Sequence, residues 1–312
     1  MNQSTLTATE THAVTGAFGY SGRHITRRLL TDGRSVITLT NTRPATDPFG
    51  GRVRAFPLNF HDPAALANAL RGVSVLYNTY WVRFNHRRFS QNEAVDNTKT
   101  LFRAAREAGV RRIVHVSITN PSADSPLDYF RGKAELEAAL VESGIPHSIL
   151  RPAVLFGEGD ILINNIAWSL RRFPFFMVLG DGRYRIDPIH VDDLAALAVR
   201  EGTKETNATL NATGPESFTY RELVETVGAA IGRRRLLVNV PPLFGYAAAK
   251  LVGWAHRDIF LTRQEVAGLM AGLLHVESPP TGTTHLTEWL RQHASEVGQR
   301  YASELARRRV KA

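Results

Sequence analysis

The sequence contains no cysteine among its 312 residues. Disulfide bonds, thiolate catalysis and cysteine-based metal sites are therefore all excluded. No apolar run can span a bilayer, since the longest one, 243–255, is short and contains Lys250. The polar stretch 1–11 lacks the hydrophobic segment of a secretory signal. These absences predict a cytoplasmic protein with no integral membrane segment.

Acidic residues are outnumbered, with 29 Asp and Glu against 38 Lys and Arg, which gives a formal net charge of +9. Such a balance fits a nucleic-acid partner, an anionic membrane, a phosphorylated ligand or simply a solvated basic surface. The arginine clusters at 171–172, 233–235 and 307–309 are scattered, and no aromatic residues interleave with them on one predicted face. We therefore predict no nucleic-acid partner.

The composition is that of an ordinary globular protein, with 43% hydrophobic and 21% charged residues. Short β-branched runs such as 35–40 and 112–117 alternate with helical patterns through the first half. This alternation predicts an α/β fold, a Rossmann-type doubly wound parallel sheet. We place this domain at 1–158, completed by about 185–213, and a smaller, mainly helical substrate lobe at 159–312. The protein is expected to be a monomer or a homodimer.

The most informative motif is a glycine-rich turn between the first predicted strand and the first predicted helix. Gly16, Gly19 and Gly22 have the spacing G-x-x-G-x-x-G. The first glycine permits a tight turn, the second a close approach to a pyrophosphate, and the third close packing of the helix. The helix N-terminus then offers N–H groups to phosphates. The motif predicts dinucleotide binding.

A tyrosine and a lysine are placed for acid–base chemistry. Tyr129 and Lys133 lie four residues apart on a predicted helix, so their side chains share one face. A neighbouring positive charge favours the phenolate, as a proton donor to a carbonyl or an acceptor from an alcohol requires.

Taken in order, these elements resemble the extended or atypical short-chain dehydrogenase/reductases, which include NAD-dependent epimerases and dehydratases. Within that family they resemble the branch that contains the NADPH-binding accessory subunit of respiratory complex I. The resemblance rests on the glycine motif, Ser117-Ile118-Thr119, the Tyr129/Lys133 pair, Arg151-Pro152, the run 189–193 and the run 214–223.

The resemblance implies that Tyr129 is the acid/base and that Lys133 binds the nicotinamide ribose. A hydroxyl after the fifth strand would hold the substrate oxygen, with Thr119 the first candidate and Ser117 the second. Only ten positions separate Thr119 from Tyr129, and the position of the family's helix asparagine aligns with Ala94. The implied cofactor contacts are Gly16, Phe18, Gly19, Tyr20, Ser21, Gly22, Arg23, Asn41, Thr42, Arg43, Thr79, Ser117, Lys133, Pro152 and Val154.

The residues after the second strand indicate the choice of cofactor. An acid there would bind the ribose 2′-hydroxyl of NAD and repel a 2′-phosphate, and none occurs in 40–43. Arg43 can pair a phosphate bidentately and Arg23 can add a second charge; the alternative interpretation is that Arg43 is a solvated loop residue. We predict NADP(H) in preference to NAD(H).

The predicted substrate residues are Tyr80, Trp81 and Phe156; Tyr80 and Trp81 follow the fourth strand and fit either stacking on a flat substrate or core packing. No metal site is predicted, because Asp193 in the run 189–193 is expected to order a loop or cap a helix.

The sequence thus predicts an NADP-dependent oxidoreductase acting on a carbonyl or hydroxyl group of a small organic substrate. The alternatives are an epimerase or dehydratase using the same site, and a non-catalytic NADPH-binding structural or sensor protein. Peripheral membrane contact by 241–257 is a further hypothesis.

Overall fold

The computed structural model describes residues 10–309, so most of the polar stretch 1–11 lies outside the described residues. The strands are β1 Thr11–Thr15, β2 Ser35–Leu39, β3 Val53–Phe56, β4 Val73–Asn78, β5 Arg112–Val116, β6 His147–Pro152, β7 Val154–Phe156, β8 Phe175–Leu179, β9 Arg185–Ile186, β10 Pro188–His190, β11 Ala208–Ala212, β12 Phe218–Thr219 and β13 Leu236–Val240. The helices are α1 Tyr20–Thr31, α2 Pro63–Leu70, α3 Gln91–Glu107, α4 Asp128–Glu142, α5 Leu162–Arg172, α6 Val191–Gly202, α7 Tyr220–Ala230, α8 Pro242–His256, α9 Arg263–Met270, α10 Leu286–Gln292 and α11 Glu304–Arg309.

A parallel sheet of seven strands forms the centre of the chain. Its strand order is β3-β2-β1-β4-β5-β6-β11, and every neighbouring pair is parallel. The order reverses between β1 and β4, which makes a crevice at the carboxyl ends of the strands. The predicted doubly wound sheet is confirmed. β11, from the region 185–213 expected to complete the first domain, pairs with β6.

Helices cover both faces of the sheet. One face packs on α2, α3 and α4 through buried leucines such as Leu66, Leu101 and Leu136. The other packs on α1 and α6 through Leu29 and Leu194. Each of these side chains is almost fully buried, and burial of a leucine stabilises the fold by about 1.5–3 kcal/mol. The apolar side chains that form the core therefore hold the strand ends in place.

Local capping signals in the sequence mark the starts of two helices. The carboxylate of Asp62 accepts the N–H of Ala65 at 3.0 Å, and Pro63 opens α2. Thr219 and Glu222 form a reciprocal capping box at α7. Both caps can be recognised in the sequence because each depends on two residues only three positions apart.

The C-terminal lobe has its own core and contains more strand than its sequence indicated. Helices α5, α7 and α10 contribute side chains to this core. The apolar stretch 173–179 includes β8, which pairs in parallel with β13. Within residues 10–309, no helix is both long and apolar enough to cross a membrane.

Candidate active site

The glycine-rich turn has the geometry that its spacing predicted. Gly16 has a φ of +66°, which favours glycine. A Cβ on Gly22 would lie 2.2 Å from the carbonyl oxygen of Gly16, so only glycine lets α1 approach the turn this closely. No side chain caps α1 at Gly19, and its first turn carries no acid. Phe18, Tyr20 and Ser21 lie in the same turn. A phosphate group fits this helix end.

A buried hydroxyl network joins the ends of β1 and β4 beside this turn. The hydroxyl of Thr15 accepts the N–H groups of Thr79 and Tyr80 at 2.8 and 3.1 Å. The hydroxyl of Thr79 donates to the carbonyl oxygen of Thr15 at 2.7 Å. Asn78 extends the network, since its Oδ1 accepts from Thr15 and its amide bonds to His115. Sequence analysis singled out Thr79 but missed Thr15 and Asn78, which are joined to each other and to His115 across more than 30 positions.

Arg23 and Arg43, the two arginines predicted to bind a 2′-phosphate, differ in their surroundings. Arg23 donates to the carbonyl oxygen of Glu158 at 2.6 Å, which links α1 to the loop after β7. Arg43 is exposed, with its guanidinium 3.4 Å from the carbonyl oxygen of Ala55. The side chain of Asn41 is held by two hydrogen bonds to the backbone of Leu58. Asn41 and the neighbouring Thr42 thus shape the loop after β2, while Arg43 extends from it.

The side chain of Lys133 is buried beside the ring of Trp81. Its ammonium donates to the carbonyl oxygen of Val116 at 2.8 Å and lies 4.5 Å from the centroid of Trp81. Burial lowers the pKa of Lys133 to about 7, although the nearby Glu137 opposes this shift. Tyr129 also contacts Trp81, with ring centroids 5.5 Å apart. Trp81 therefore contacts both members of the predicted acid–base pair.

The helix can hold this indole ring because position 132 is glycine. A Cβ on Gly132 would lie 3.0 Å from the ring of Trp81 and 3.0 Å from the side chain of Val95. The glycine between Tyr129 and Lys133 thus leaves room for the indole.

The two hydroxyl candidates after β5 are engaged differently. Ser117 donates to a carboxylate oxygen of Glu137 at 2.5 Å, and Glu137 also pairs with Arg151. Arg151 of the Arg151-Pro152 pair therefore has a structural role as the partner of Glu137. Pro152 is the last residue of β6. Thr119 is fully buried, and its hydroxyl has no hydrogen-bond partner among the described residues.

A cleft of about 680 Å³ opens between the sheet and the C-terminal lobe. Tyr129 lies on its wall, as do Tyr20 and Val154 of the predicted cofactor set. Most other lining residues are apolar: Phe84, Ile118, Leu127, Phe130, Ala153, Leu155, Ile161, Leu162, Ile166, Phe176, Leu179, Phe260, Leu261, Leu269 and Leu274. Such a lining favours an apolar ligand.

Several polar and charged side chains also line the cleft, among them Arg83, Gln91 and Glu265. Arg83 and Glu265 form an ion pair at 2.5 Å. Gln91 is buried, and its Oε1 has no hydrogen-bond partner within the described part of the chain. This oxygen can accept a hydrogen bond from a ligand N–H or O–H. Sequence analysis did not identify these three residues, because the fold rather than a local motif brings them together.

The three predicted substrate residues separate in the structure. Trp81 contacts Tyr129, as described above. Tyr80 packs on Phe60 at 4.9 Å and accepts a hydrogen bond from Asn97 at 3.1 Å. Phe156 is fully buried and contacts His190 and Trp289 within the core of the C-terminal lobe. In this structure Trp81 is therefore the member of the set that lies beside the Tyr129–Lys133 pair.

The His-Val-Asp-Asp run serves as a structural junction. Asp193 accepts the N–H groups of Thr283 and Thr284 at 2.9 and 2.8 Å, so it orders that loop as expected. Asp192 pairs with His24 of α1 at 2.6 Å. Between residues 10 and 309 no group of three or more His, Asp or Glu side chains is arranged to hold a metal ion.

Comparisons with known proteins agree with this architecture. A model of the NAD(P)H-binding family matches residues 16–164. The chain is 27% identical to the NADH dehydrogenase [ubiquinone] 1 alpha subcomplex subunit 9 of Arabidopsis thaliana, over 73% of this chain and 60% of that protein. It is 26% identical to a ceramide reductase of Caulobacter vibrioides, over 89% of this chain and 94% of that protein.

The chain thus spans about three fifths of the length of the Arabidopsis relative. Among solved structures, MoeE5 in complex with UDP-glucose and NAD superposes with a TM-score of 0.68 at 21% identity, covering 92% of this chain and 97% of that one. This likeness shows a shared fold. The match to the NAD(P)H-binding family over residues 16–164, the relatives and the parallel sheet support the resemblance to the extended short-chain dehydrogenase/reductases.

Proposed function

We propose that the protein is an NADP(H)-dependent oxidoreductase that acts on a carbonyl or hydroxyl group of an apolar, lipid-like substrate. The observation that carries this proposal is the position of Tyr129 on the wall of a cleft of about 680 Å³ whose lining is mainly apolar. The relative named ceramide reductase supports the same substrate class, since the two proteins match over nearly their full lengths.

The cofactor's phosphates would bind at the glycine-rich turn. Gly22 lets the N-terminus of α1 pack closely against the turn. Because no side chain caps this helix at Gly19, its first backbone N–H groups could bind a phosphate. Arg43 would pair the 2′-phosphate of NADP, and Arg23 would add positive charge. When bound, the cofactor supplies or accepts the hydride.

Tyr129 would move the proton. Its phenol would donate to the carbonyl oxygen as the carbon is reduced, and in the reverse direction would accept the alcohol proton. Lys133 in its charged form would favour the phenolate. Because Lys133 contacts Trp81, movement of that ring would alter its access to the nicotinamide ribose. Thr119 stays a proposed partner for the substrate oxygen.

The rest of the cleft would select the substrate. Apolar side chains would enclose a long hydrocarbon chain, and its removal from water would contribute most of the binding free energy. The oxygen of Gln91 would accept a hydrogen bond from a polar N–H or O–H group near the reacting carbon.

The test is oxidation of NADPH, followed by its absorbance, with a long-chain ketone dispersed in detergent. We expect turnover by the wild type and its loss in Tyr129→Phe, while NADPH binding persists. Tyr246→Phe is the matched control, because Tyr246 also lines the cleft and this variant should remain active. Equal activity of all three proteins would refute the role of Tyr129.

A non-catalytic NADPH-binding role is the second candidate. It is favoured by the burial of Thr119, by the contact of Lys133 with Trp81, and by relatives named as subunits of NADH dehydrogenase. Saturable NADPH binding without oxidation of any ketone, and without conversion of sugar nucleotides such as UDP-glucose, would support it. Conversion of a sugar nucleotide would instead support an epimerase or dehydratase.

A further inference from the structure

Helix α8 places small residues against the protein and large apolar residues outside. Gly245, Ala249 and Gly253 are buried at intervals of four residues. A Cβ on Gly245 would lie 2.0 Å from the side chain of Leu179, so the helix packs closely on β8. The buried face of α8 therefore consists of small residues and contributes little apolar side-chain area to the core.

The opposite face of α8 carries Leu243, Phe244, Leu251 and Trp254, which are 68%, 65%, 67% and 80% exposed. We call these four residues the α8 surface. Their spacing of one, eight and eleven residues from Leu243 keeps them within one broad stripe. A helix of a globular protein normally faces such side chains inward. The α8 surface thus has the polarity of a helix that meets an apolar environment outside the protein.

Other exposed apolar residues lie next to the end of α8. Trp168 contacts His256 of α8 and Phe173, with ring centroids 5.0 and 5.8 Å away. Phe173 and Phe175 are 40% and 46% exposed. Phe173 and Phe175 thus form a second exposed apolar group near the C-terminal end of α8, and exposed apolar groups of this kind mark interaction sites.

Positively charged side chains lie on and near α8. The helix contains Lys250 and no acidic residue. Arg263 lies 5.2 Å from the ring of Tyr246, and Arg172 lies 5.3 Å from Trp168. The whole chain carries a formal net charge of +9. Large apolar side chains with a basic border match a lipid surface of negative charge.

We infer that the α8 surface docks on an anionic phospholipid bilayer, with α8 lying in the plane of the headgroups. A tryptophan on such a face prefers the membrane interface. Tyr246 of α8 lines the cleft, so docking would place the cleft beside the bilayer. This inference requires neither the proposed cofactor nor the proposed reaction.

The first test is co-sedimentation of the full chain with phosphatidylcholine vesicles that contain phosphatidylglycerol, compared with phosphatidylcholine alone. We expect sedimentation with the anionic vesicles and at least tenfold weaker binding to the neutral ones. The double variant Leu251→Gln, Trp254→Gln should lose at least tenfold in binding to anionic vesicles. Val141→Gln is the control, because Val141 is 56% exposed on α4, outside the α8 surface.

Tryptophan fluorescence gives an independent reading of the same contact. The chain has four tryptophans, and Trp254 is the one exposed by 80%. Its emission should shift to shorter wavelength when anionic vesicles are added, and Trp254→Phe should abolish this shift. An unchanged urea-unfolding midpoint of these variants would show that they fold.

Three results would overturn the inference: no sedimentation of the wild type with anionic vesicles, equal sedimentation of the double variant, or a wild-type dimer that the double variant disperses. The last would identify a second copy of the chain as the occupant of the α8 surface. Because none of these measurements uses a ketone, they can fail while the proposed reaction stands, and the reverse also holds.

Discussion

The buried ammonium of Lys133 should make the stability of the protein depend on pH in a way that a variant can isolate. Burial lowers the pKa of Lys133 to about 7, whereas the pKa of a lysine in an unfolded chain is about 10.4. Between these values the unfolded chain binds the proton and the folded chain has released it. Raising the pH across this window therefore stabilises the folded state.

The expected magnitude follows from proton linkage. Each pH unit well inside the window contributes about 1.4 kcal/mol, so the wild type should gain about 2 kcal/mol between pH 7 and pH 9 relative to Lys133→Met. The contact with Trp81 favours the charged ammonium and reduces this gain. Loss of the hydrogen bond to Val116 in the variant does not depend on pH, so it cancels from the comparison.

The assay is urea unfolding of both proteins at pH 7 and pH 9. Lys99→Met serves as the control, because Lys99 makes a more exposed ion pair with Glu135 on the helix surface. His115 adds little in this window, because burial holds its pKa well below the usual range. If wild type and Lys133→Met change stability equally between the two pH values, Lys133 stays charged in the folded protein and the burial argument fails.

Three further substitutions test other parts of the account. Gly22→Ala should weaken NADPH binding at least tenfold, because its Cβ would meet backbone 2.2 Å away; an unchanged dissociation constant would contradict this. Glu137→Gln should destabilise the protein by about 2–3 kcal/mol in urea unfolding, because it leaves Arg151 without its carboxylate, while the exposed Glu135→Gln should cost less than about 1 kcal/mol. Arg43→Glu should weaken NADPH about tenfold or more and leave NADH unaffected in a fluorescence titration; equal losses would remove Arg43 from the choice of cofactor.

The central sheet and the nucleotide turn were predictable because their signals are local. The β-branched runs, Gly22 at its fixed distance from Gly16, and the cap at Asp62 each depend on a few neighbouring residues. Few other residue types fit the backbone at such positions, so the local sequence indicates the local structure.

The substrate side of the cleft was harder to predict because its residues come from distant segments. Arg83 meets Glu265 across 182 positions, and no periodicity connects them. Within β7, Leu155 lines the cleft while its neighbour Phe156 lies in the core. An apolar residue in a short strand does not reveal which face meets a ligand, so Phe156 was predicted to bind substrate.

The strand pair in the C-terminal lobe was missed for a similar reason. β8 and β13 pair in parallel across about sixty positions, and each has five residues. Runs this short have no distinctive period, and their pairing joins segments that lie far apart in the sequence.

Titration of the purified protein with NADPH and with NADH, followed by nucleotide fluorescence, tests the central claim most directly. We expect saturable binding of NADPH and weaker binding of NADH, because Arg43 follows β2 and residues 40–43 contain no acid. Absence of binding by both nucleotides would contradict the claim that this site holds a dinucleotide and would remove the basis of the proposed oxidoreductase.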